Sequence, residues 1–477
     1  MEKRQEKYVD PHEMERQYSF IEKIIQLNKQ EEKIKNRSLK AMVTTYGCQQ
    51  NESDSERIRG MLTHMGYSLT HNQNEADLVL YNTCAIRENA ELKVFGKVGE
   101  LVSCKRENPS MIVALCGCMM QQEHVAKQIK EKYRHVDLVF GTHGLHRFPE
   151  FLYQTMKDRK RIFQVSESMG QIAENIPVSR METYKAKVSI MFGCNNFCTY
   201  CVVPYVRGRE RSRMPEKIID EIRRLVDDNV KDITLLGQNV NSYGRDLEGE
   251  IDFPGLLEKI NEIEGDFRFR FMTSHPKDAT QKLFDAIARC SKIVRHVHLP
   301  FQAGNNRILE KMNRGYTKEE YLGKIKKLRQ TVEGIAITSD IIVGFPTETD
   351  QEFEDTLDVV RQVEFDSLYT FIFSRRKGTP AFDMEGQIGK EVQHRRFERL
   401  IEEQTRISKK INDTYLNTVQ RVLIEGPSRN DPTKMSGRTD SNKVVHLAGT
   451  QDMIGRFVPV RITEVKTWYL VGEALTQ

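Results

Sequence analysis

Three cysteines stand close together in GCNNFCTYC (193–201), where Cys194, Cys198 and Cys201 have C-x3-C-x2-C spacing. Three thiolates this near one another can hold one metal centre. Structural zinc closes a tetrahedron with four protein ligands, and no fourth Cys or His lies nearby; the next cysteine is Cys290. A [4Fe–4S] cluster with three cysteine ligands keeps one iron open, and an open iron can bind a small molecule. Phe197 and Tyr200 lie between these cysteines and are expected to cover the centre. The alternative is a zinc loop, or cysteines with no joint role.

Cys48, Cys84 and Cys118 are far apart in sequence but equivalent in position, in TTYGCQQN, YNTCAIREN and LCGCMMQ. Each follows an apolar run with strand character. In a parallel sheet the carboxyl ends of the strands lie on one edge, where ligands bind. Three more thiols could therefore meet, again without a fourth. The alternative is that buried cysteines merely pack, and Cys104, Cys116 and Cys290 are assigned to packing.

The elements that must position these residues follow from the hydrophobic pattern. AMVTTYG (41–47), ADLVLYNT (76–83), MIVALCG (111–117) and VDLVFG (136–141) read as strands buried on both faces, with helices between them, hence a parallel α/β sheet. Ser53 and Glu56 have capping-box spacing and predict a helix start there. Residues 151–183 read as a connector. Six further strands, at 186–192, 232–237, 268–273, 294–299, 335–343 and 367–373, alternate with helices and predict a partial (β/α)6 barrel. A charged helix covers 390–415. The tail has short β-prone runs between Gly, Pro, Asn and Asp turns, which predicts a small antiparallel β-barrel. The expected division is a polar N-terminal extension (1–37), an α/β domain (38–155), a barrel core (180–412) and a β-barrel domain (413–477).

The net charge is +5 over 477 residues, a mild basic excess that permits an acidic partner without demanding one. No apolar run is long enough to span a bilayer, and the N-terminus lacks the features of a secretory signal. A cytoplasmic protein with no membrane partner is the expectation, and nine cysteines there point to metal ligands rather than disulfides.

TTYGCQQNESDSE, NTCAIRENAELKV, GCMMQ, GCNNFCTYCVVPYVRGRERSR, LLGQNVNSYG and TSHPKD occur in this order. Together they resemble the methylthiotransferase family of radical S-adenosylmethionine (SAM) enzymes over about residues 38–475. GQNVNSYG and NNFCTYCVVPY are most similar to the branch acting on N6-isopentenyladenosine of tRNA, the MiaB type. HLPFQAGNN departs from the usual LP-Q-SG pattern at Phe301 and Ala303. The resemblance implies two [4Fe–4S] clusters, one on Cys194, Cys198 and Cys201 and an auxiliary one on Cys48, Cys84 and Cys118. It also implies two SAM molecules, one methylating sulfur on the auxiliary cluster and one giving a deoxyadenosyl radical. The methylthio group would go to C2 of the modified adenosine beside the anticodon. No catalytic side chain beyond the cluster ligands is then required. Other branches act on threonylcarbamoyladenosine of tRNA or on a ribosomal-protein aspartate, and a non-catalytic iron–sulfur or RNA-binding protein is a further alternative.

Gly237, Gln238 and Asn239 end the second barrel strand, and Gly344 the fifth; the resemblance makes them SAM contacts, while ordinary turn chemistry is the alternative. Arg207, Arg209, Arg211 and Arg213 recur every second residue in VRGRERSR and read as an extended ladder that could follow tRNA phosphates or hold SAM's carboxylate; with Glu210 among them, a solvated or salt-bridged loop is the alternative. The tail resembles the TRAM RNA-binding domain, with Arg438, Lys443, Arg456, Arg461, Lys466, Trp468 and Tyr469 as candidate contacts. Expected partners are a tRNA containing isopentenyladenosine, an electron donor and a sulfur donor. The chain is expected to be a monomer.

Overall fold

The computed structural model describes residues 7–85, 88–165, 170–249 and 251–475. The chain forms two compact units. The first comprises Met1–Met181, Phe192–Asn195 and Val202–Arg211; the second comprises Glu182–Met191, Asn196–Cys201 and Ser212–Gln477.

The first unit is built on a wholly parallel six-stranded sheet. Its strands are β1 (Lys40–Tyr46), β2 (Ser68–Leu69), β3 (Leu78–Thr83), β4 (Ile112–Gly117), β5 (Leu138–Phe140) and β6 (Ile162–Gln164), in the order β2-β1-β3-β4-β5-β6. Its helices are α1 (Pro11–Lys35), α2 (Gln49–His64), α3 (Glu88–Glu107), α4 (Glu123–Lys132), α5 (Phe148–Asp158) and α6 (Val203–Arg207). Side chains alternate across a strand, and the sheet is apolar on both faces. Ala41, Leu78, Leu80, Ala114 and Phe140 pack with Ile24, Ile58, Leu62 and Phe151, from α1, α2 and α5. Met42, Val79, Tyr81, Val113 and Leu115 pack with Val94, Val98, Leu101 and Ile129, from α3 and α4.

Three expectations for this unit change. β2 and β6 extend the sheet beyond the four strands read from sequence. They are two and three residues long and lack a continuous apolar run. The stretch read as a connector contains most of α5. Finally, α2 starts at Gln49 with Cys48 as its N-cap, ahead of the predicted capping box; Ser53 and Glu56 are buried inside the helix.

The second unit opens with six parallel strands: β7 (Lys185–Ser189), β8 (Asp232–Leu236), β9 (Arg268–Phe271), β10 (His296–His298), β11 (Ala336–Val343) and β12 (Ser367–Ile372). They form two three-stranded sheets, β7-β8-β9 and β10-β11-β12, linked by a parallel bridge between Phe269 and Ile293. Around them lie α7 (Pro215–Asp227), α8 (Phe253–Asn261), α9 (Gln281–Arg289), α10 (Asn306–Lys311), α11 (Lys318–Thr331), α12 (Asp350–Val363) and α13 (Lys390–Asp413). This is the expected partial barrel. Ala186, Val188, Ile233, Leu235, Phe269, Phe271, Ile337 and Ile341 join the apolar core with the helices. By alternation the other set, including Lys187, Thr234, Arg270, His298 and Asp340, lies on the concave side.

The chain ends in a closed five-stranded barrel of β13 (Val419–Pro427), β14 (Lys434–Thr439), β15 (Val444–Ala448), β16 (Phe457–Val465) and β17 (Leu470–Ala474), in the order β13-β14-β15-β17-β16. Four pairings are antiparallel, and β15 with β17 is parallel. Within this unit the barrels are joined by charge. Asp232 is buried between Arg268 (2.9 Å) and Arg270 (2.6 Å). Arg268 reaches on to Asp440, and Arg270 to Asn442. Burial raises the Asp232 pKa and the two guanidinium groups outweigh it, so the carboxyl stays below its usual range. Asp232→Ala leaves the buried Arg270 without its carboxylate and Arg268 with Asp440 alone. It should destabilise the fold by about 3–5 kcal/mol, read as a lower thermal unfolding midpoint; an unchanged midpoint contradicts this account.

Candidate functional site

Cys48, Cys84 and Cys118 sit just beyond the carboxyl ends of three adjacent strands, β1, β3 and β4. The register aligns those ends, pairing Tyr46 with Thr83 and Thr83 with Gly117. Neighbouring strands lie roughly 4.8 Å apart, so residues that follow them start close together. Gly117, at φ 99°, makes the turn into Cys118; a Cβ there would lie 2.3 Å from Asn82 Oδ1. A Cβ on Gly47 would lie 3.1 Å from the Cys84 Cβ, which marks how tightly these loops approach.

Two side chains fill the space among the thiols. Asn51, on the first turn of α2, is fully buried. Its Nδ2 donates to Asn82 Oδ1 (2.9 Å) and the Thr83 carbonyl (3.0 Å). Its Oδ1 accepts from Cys48 Sγ at 3.3 Å and Cys118 Sγ at 3.8 Å. Arg207, from α6, is also buried; its Nε donates to Cys118 Sγ at 3.1 Å, and its Nη2 lies 2.8 Å from Asp54 Oδ2.

The electrostatics differ between the thiols. The hydrogen bond with Cys84 and then the Arg207 charge outweigh burial and hold the Cys48 thiol down to about 6. Its place at a helix N-terminus also favours the thiolate. Burial pushes Cys118 up to about 11, against the pull of Arg207. Burial alone would lower the Arg207 pKa, but Asp54 and the thiols raise it, so its charge is fixed.

Among the described residues no three His, Cys, Asp or Glu side chains form a single-ion site. A cubane cluster spreads its thiolates over several iron atoms, and with three thiolates it is anionic. Three converging sulfurs beside a buried cation fit that group in donor type and in charge.

The C-x3-C-x2-C segment divides between the units. In the first, Gly193 has φ 79°, and Cys194 N–H donates to the Gly208 carbonyl at 3.1 Å. In the second, the turn 196–201 is fastened to residues 311–314. Thr199 bonds the Lys311 and Met312 carbonyls, and Asn313 Nδ2 donates to the carbonyls of Asn196 and Phe197. Arg314 is buried, and its Nη1 donates to Cys198 Sγ and Tyr200 Oη, both at 3.3 Å, while Nη2 donates to the Pro300 carbonyl at 2.8 Å. Tyr200 therefore belongs to the polar network around Cys198.

The other candidates separate. Gly237 follows β8, and its carbonyl accepts from Thr273 Oγ1. Asn239 is buried, donates to Asp278 at 2.7 Å, and keeps its Oδ1 without a partner. Gln238 lies between them. Gly344, at φ 72°, does not open a space for a ligand at its α-carbon. Gln393 of α13 fills it, 2.5 Å from where a Cβ would stand, and the Gly344 N–H donates to the buried Glu348.

The arginine ladder is also corrected. Arg207 is a buried helical residue, and Arg213 is buried with its Nη1 on Glu221 (2.7 Å) and the Ser189 carbonyl. Arg209 is exposed and Arg211 half-buried. Two-residue spacing gives a ladder only in extended chain, and α6 breaks it. In the C-terminal barrel, Lys443 is used up on Asp366 at 2.9 Å, whereas Trp468 is 56% exposed and so outside the core.

Comparison with known proteins places this geometry. Family models match at residues 188–360 (Radical SAM superfamily), 40–141 (an uncharacterized protein family, UPF0004) and 413–475 (TRAM domain). The tRNA-2-methylthio-N(6)-dimethylallyladenosine synthase of Alkaliphilus oremlandii is 52% identical over 477 residues, all of both chains. The proteins of that name from Acetivibrio thermocellus (52%, 98% of this chain and 97% of that one) and Clostridioides difficile (49%, 99% of each) are similar. The chain belongs to the tRNA-2-methylthio-N(6)-dimethylallyladenosine synthase family. It is a radical SAM enzyme with SAM and [4Fe–4S] clusters as cofactors. The fold is shared with the radical S-adenosylmethionine methyltransferase TsrM of Kitasatospora setae, at a TM-score of 0.55 and 13% identity over 72% of this chain and 77% of that one.

Sequence reading missed Asn51, Asp54 and Arg314. Asn51 and Asp54 stand in the family motif CQQNESD three residues apart, on one face of α2. Arg314 follows α10 with no local signal beyond an Asn-Arg-Gly turn. A residue supporting metal ligands typically contributes 10–100-fold to metal affinity. Arg207→Met should therefore release iron to a chelator at roughly 10–100-fold lower chelator concentration from a protein whose Cys194, Cys198 and Cys201 are already Ala. Retention equal to that of the Arg207 parent contradicts the assignment.

Proposed function

We propose that Cys48, Cys84 and Cys118 hold one [4Fe–4S] cluster and Cys194, Cys198 and Cys201 another, each with one iron left open. The enzyme adds a methylthio group to C2 of N6-dimethylallyladenosine in tRNA. The observation that carries the reading is the gathering of Cys48 and Cys118 around Asn51 and Arg207, with Cys84 against Cys48, in a chain matching these synthases along its whole length. When bound, the clusters supply the electron that cleaves SAM reductively and the site that carries the sulfur to be transferred.

The chain's own residues do the rest. Arg207 and Arg314 donate to thiolates and offset their negative charge in low-dielectric surroundings, where an unpaired anion is expensive. Tyr200 and Tyr316 surround Arg314 and exclude water from Cys198. Gly237, Gln238 and Asn239 hold the methionine part of SAM, the Asn239 carbonyl oxygen being available to accept from an ammonium group. Gly344 acts through the loop that Glu348 and Arg396 fix. Arg209 and Arg211 follow tRNA phosphates. In the C-terminal barrel Arg456, Arg461, Trp468 and Tyr469 are exposed and present charge and ring faces to unpaired bases. A C–H on an aromatic ring has no acidity that a side-chain base could use, so no acid–base pair is assigned. The electron and the sulfur come from outside donors. The enzyme works as a monomer in the cytoplasm; no helix among the described residues is long and apolar enough to cross a membrane.

The test is nucleoside mass spectrometry after incubating reconstituted enzyme with SAM, a low-potential reductant and tRNA carrying dimethylallyladenosine. The expected product is 2-methylthio-N6-dimethylallyladenosine. No product on that tRNA, with product on threonylcarbamoyladenosine tRNA, would overturn the substrate.

A further inference from the structure

β12 is the last strand of the partial barrel, and its two sets of side chains differ sharply. Leu368 and Ile372 pack against the helical core, while the alternate residues Tyr369 and Phe371 stay 47% and 38% exposed. The register fixes where they face. Thr338 pairs with Ser367, Asp340 with Tyr369 and Ile342 with Phe371; Ile337, Ile341 and Val343 belong to the helical core, and Ile342 is partly buried and also touches it. Tyr369 and Phe371 therefore line the concave side, in line with His298, which pairs with Thr338. The Tyr369 ring stands edge-on to the His298 ring at 5.6 Å.

A barrel that only needs filling does so with branched aliphatic side chains. This face instead rises in three unlike rungs toward the carboxyl ends of the strands. The first has Thr338 with His298, its Nδ1 2.9 Å from Thr338 Oγ1. The second has Asp340, 3.4 Å from His298 Nε2 and still 28% accessible, beside Tyr369. The third, Ile342 with Phe371, is apolar. Stated together, these are a flat ring, a carboxylate acceptor beside it and an apolar shelf above.

We infer that this face holds the target nucleoside: the purine against Tyr369, its N6–H on Asp340, and the five-carbon N6 substituent against Ile342 and Phe371. The inference rests on the proposed reaction and deepens it, since it locates the preference for an alkylated over a plain adenosine. N6-Dimethylallyladenosine keeps one N6–H donor and adds an apolar tail, which is what an acceptor next to an apolar rung can select. An aromatic platform contributes through any base face; the selection comes from the third rung.

The test compares two anticodon stem-loops, one with dimethylallyladenosine and one with plain adenosine, on holoenzyme. Phe371→Ala should reduce the preference for the alkylated stem-loop roughly tenfold, with the KM for SAM within about twofold of wild type. Phe371→Leu, which keeps an apolar side chain, should retain most of the preference. Asp340→Ala, which removes the acceptor, should raise the KM for the alkylated stem-loop and leave that for SAM in place. Phe371 is partly exposed, so the variants should keep the wild-type thermal midpoint and iron content. Wild-type preference in Phe371→Ala, or a loss confined to SAM binding, overturns the inference. Absence of methylthio product from the wild-type enzyme overturns the proposed reaction instead.

Discussion

A guanidinium group buried against cysteine sulfur is the constraint on which both candidate centres depend. Arg207 and Arg314 are each removed from water, and each spends donors on a thiol. A buried cation must find negative charge or forfeit several kcal/mol. Among the described residues Arg207 has one carboxylate partner, Asp54, beside the thiols of Cys118 and Cys48, and Arg314 is ringed by Tyr200, Tyr316 and Cys198. Each guanidinium therefore stands where it can offset negative charge gathered on sulfur. Neither arginine could be replaced by lysine on equal terms, because a planar fork serves several acceptors at once.

The folds supply what the arginines need. In the first unit, parallel register carries three thiols to one sheet edge, and Asn51 spans the gap by bonding the end of β3 on one side and the thiols on the other. In the second, the polar concave side and the apolar outer side of the partial barrel are two faces of the same period-two pattern. The Asp232–Arg268–Arg270 cluster then ties the C-terminal barrel to β8 and β9, so the RNA-binding module within that unit is held by ion pairs and not by a loose tether.

Much of this was legible in sequence because periodicity and cysteine position speak directly to it. The six barrel strands lie where their apolar runs place them, and Cys48, Cys84 and Cys118 do meet beyond successive strands. β2 and β6 escaped because they are too short to carry a pattern. The start of α2 was misread because a cysteine caps it and a capping-box pair recurs inside it. The arginine ladder failed for a related reason: its spacing was measured along the chain, whereas α6 turns Arg207 inward to Asp54, a partner from another element. The space beside the Gly344 α-carbon is filled by a glutamine from a distant helix, Gln393. Long-range partners of this kind leave no local trace.

The most direct measurement is the iron and labile sulfide content of the reconstituted protein beside that of a variant with Cys48, Cys84 and Cys118 all changed to Ala. Two centres on six cysteines predict roughly eight irons in the parent and about four in the variant, with SAM cleavage to 5′-deoxyadenosine retained and methylthio transfer lost. About four irons in both, or full iron in the variant, would contradict the assignment of the N-terminal thiols to a second cluster.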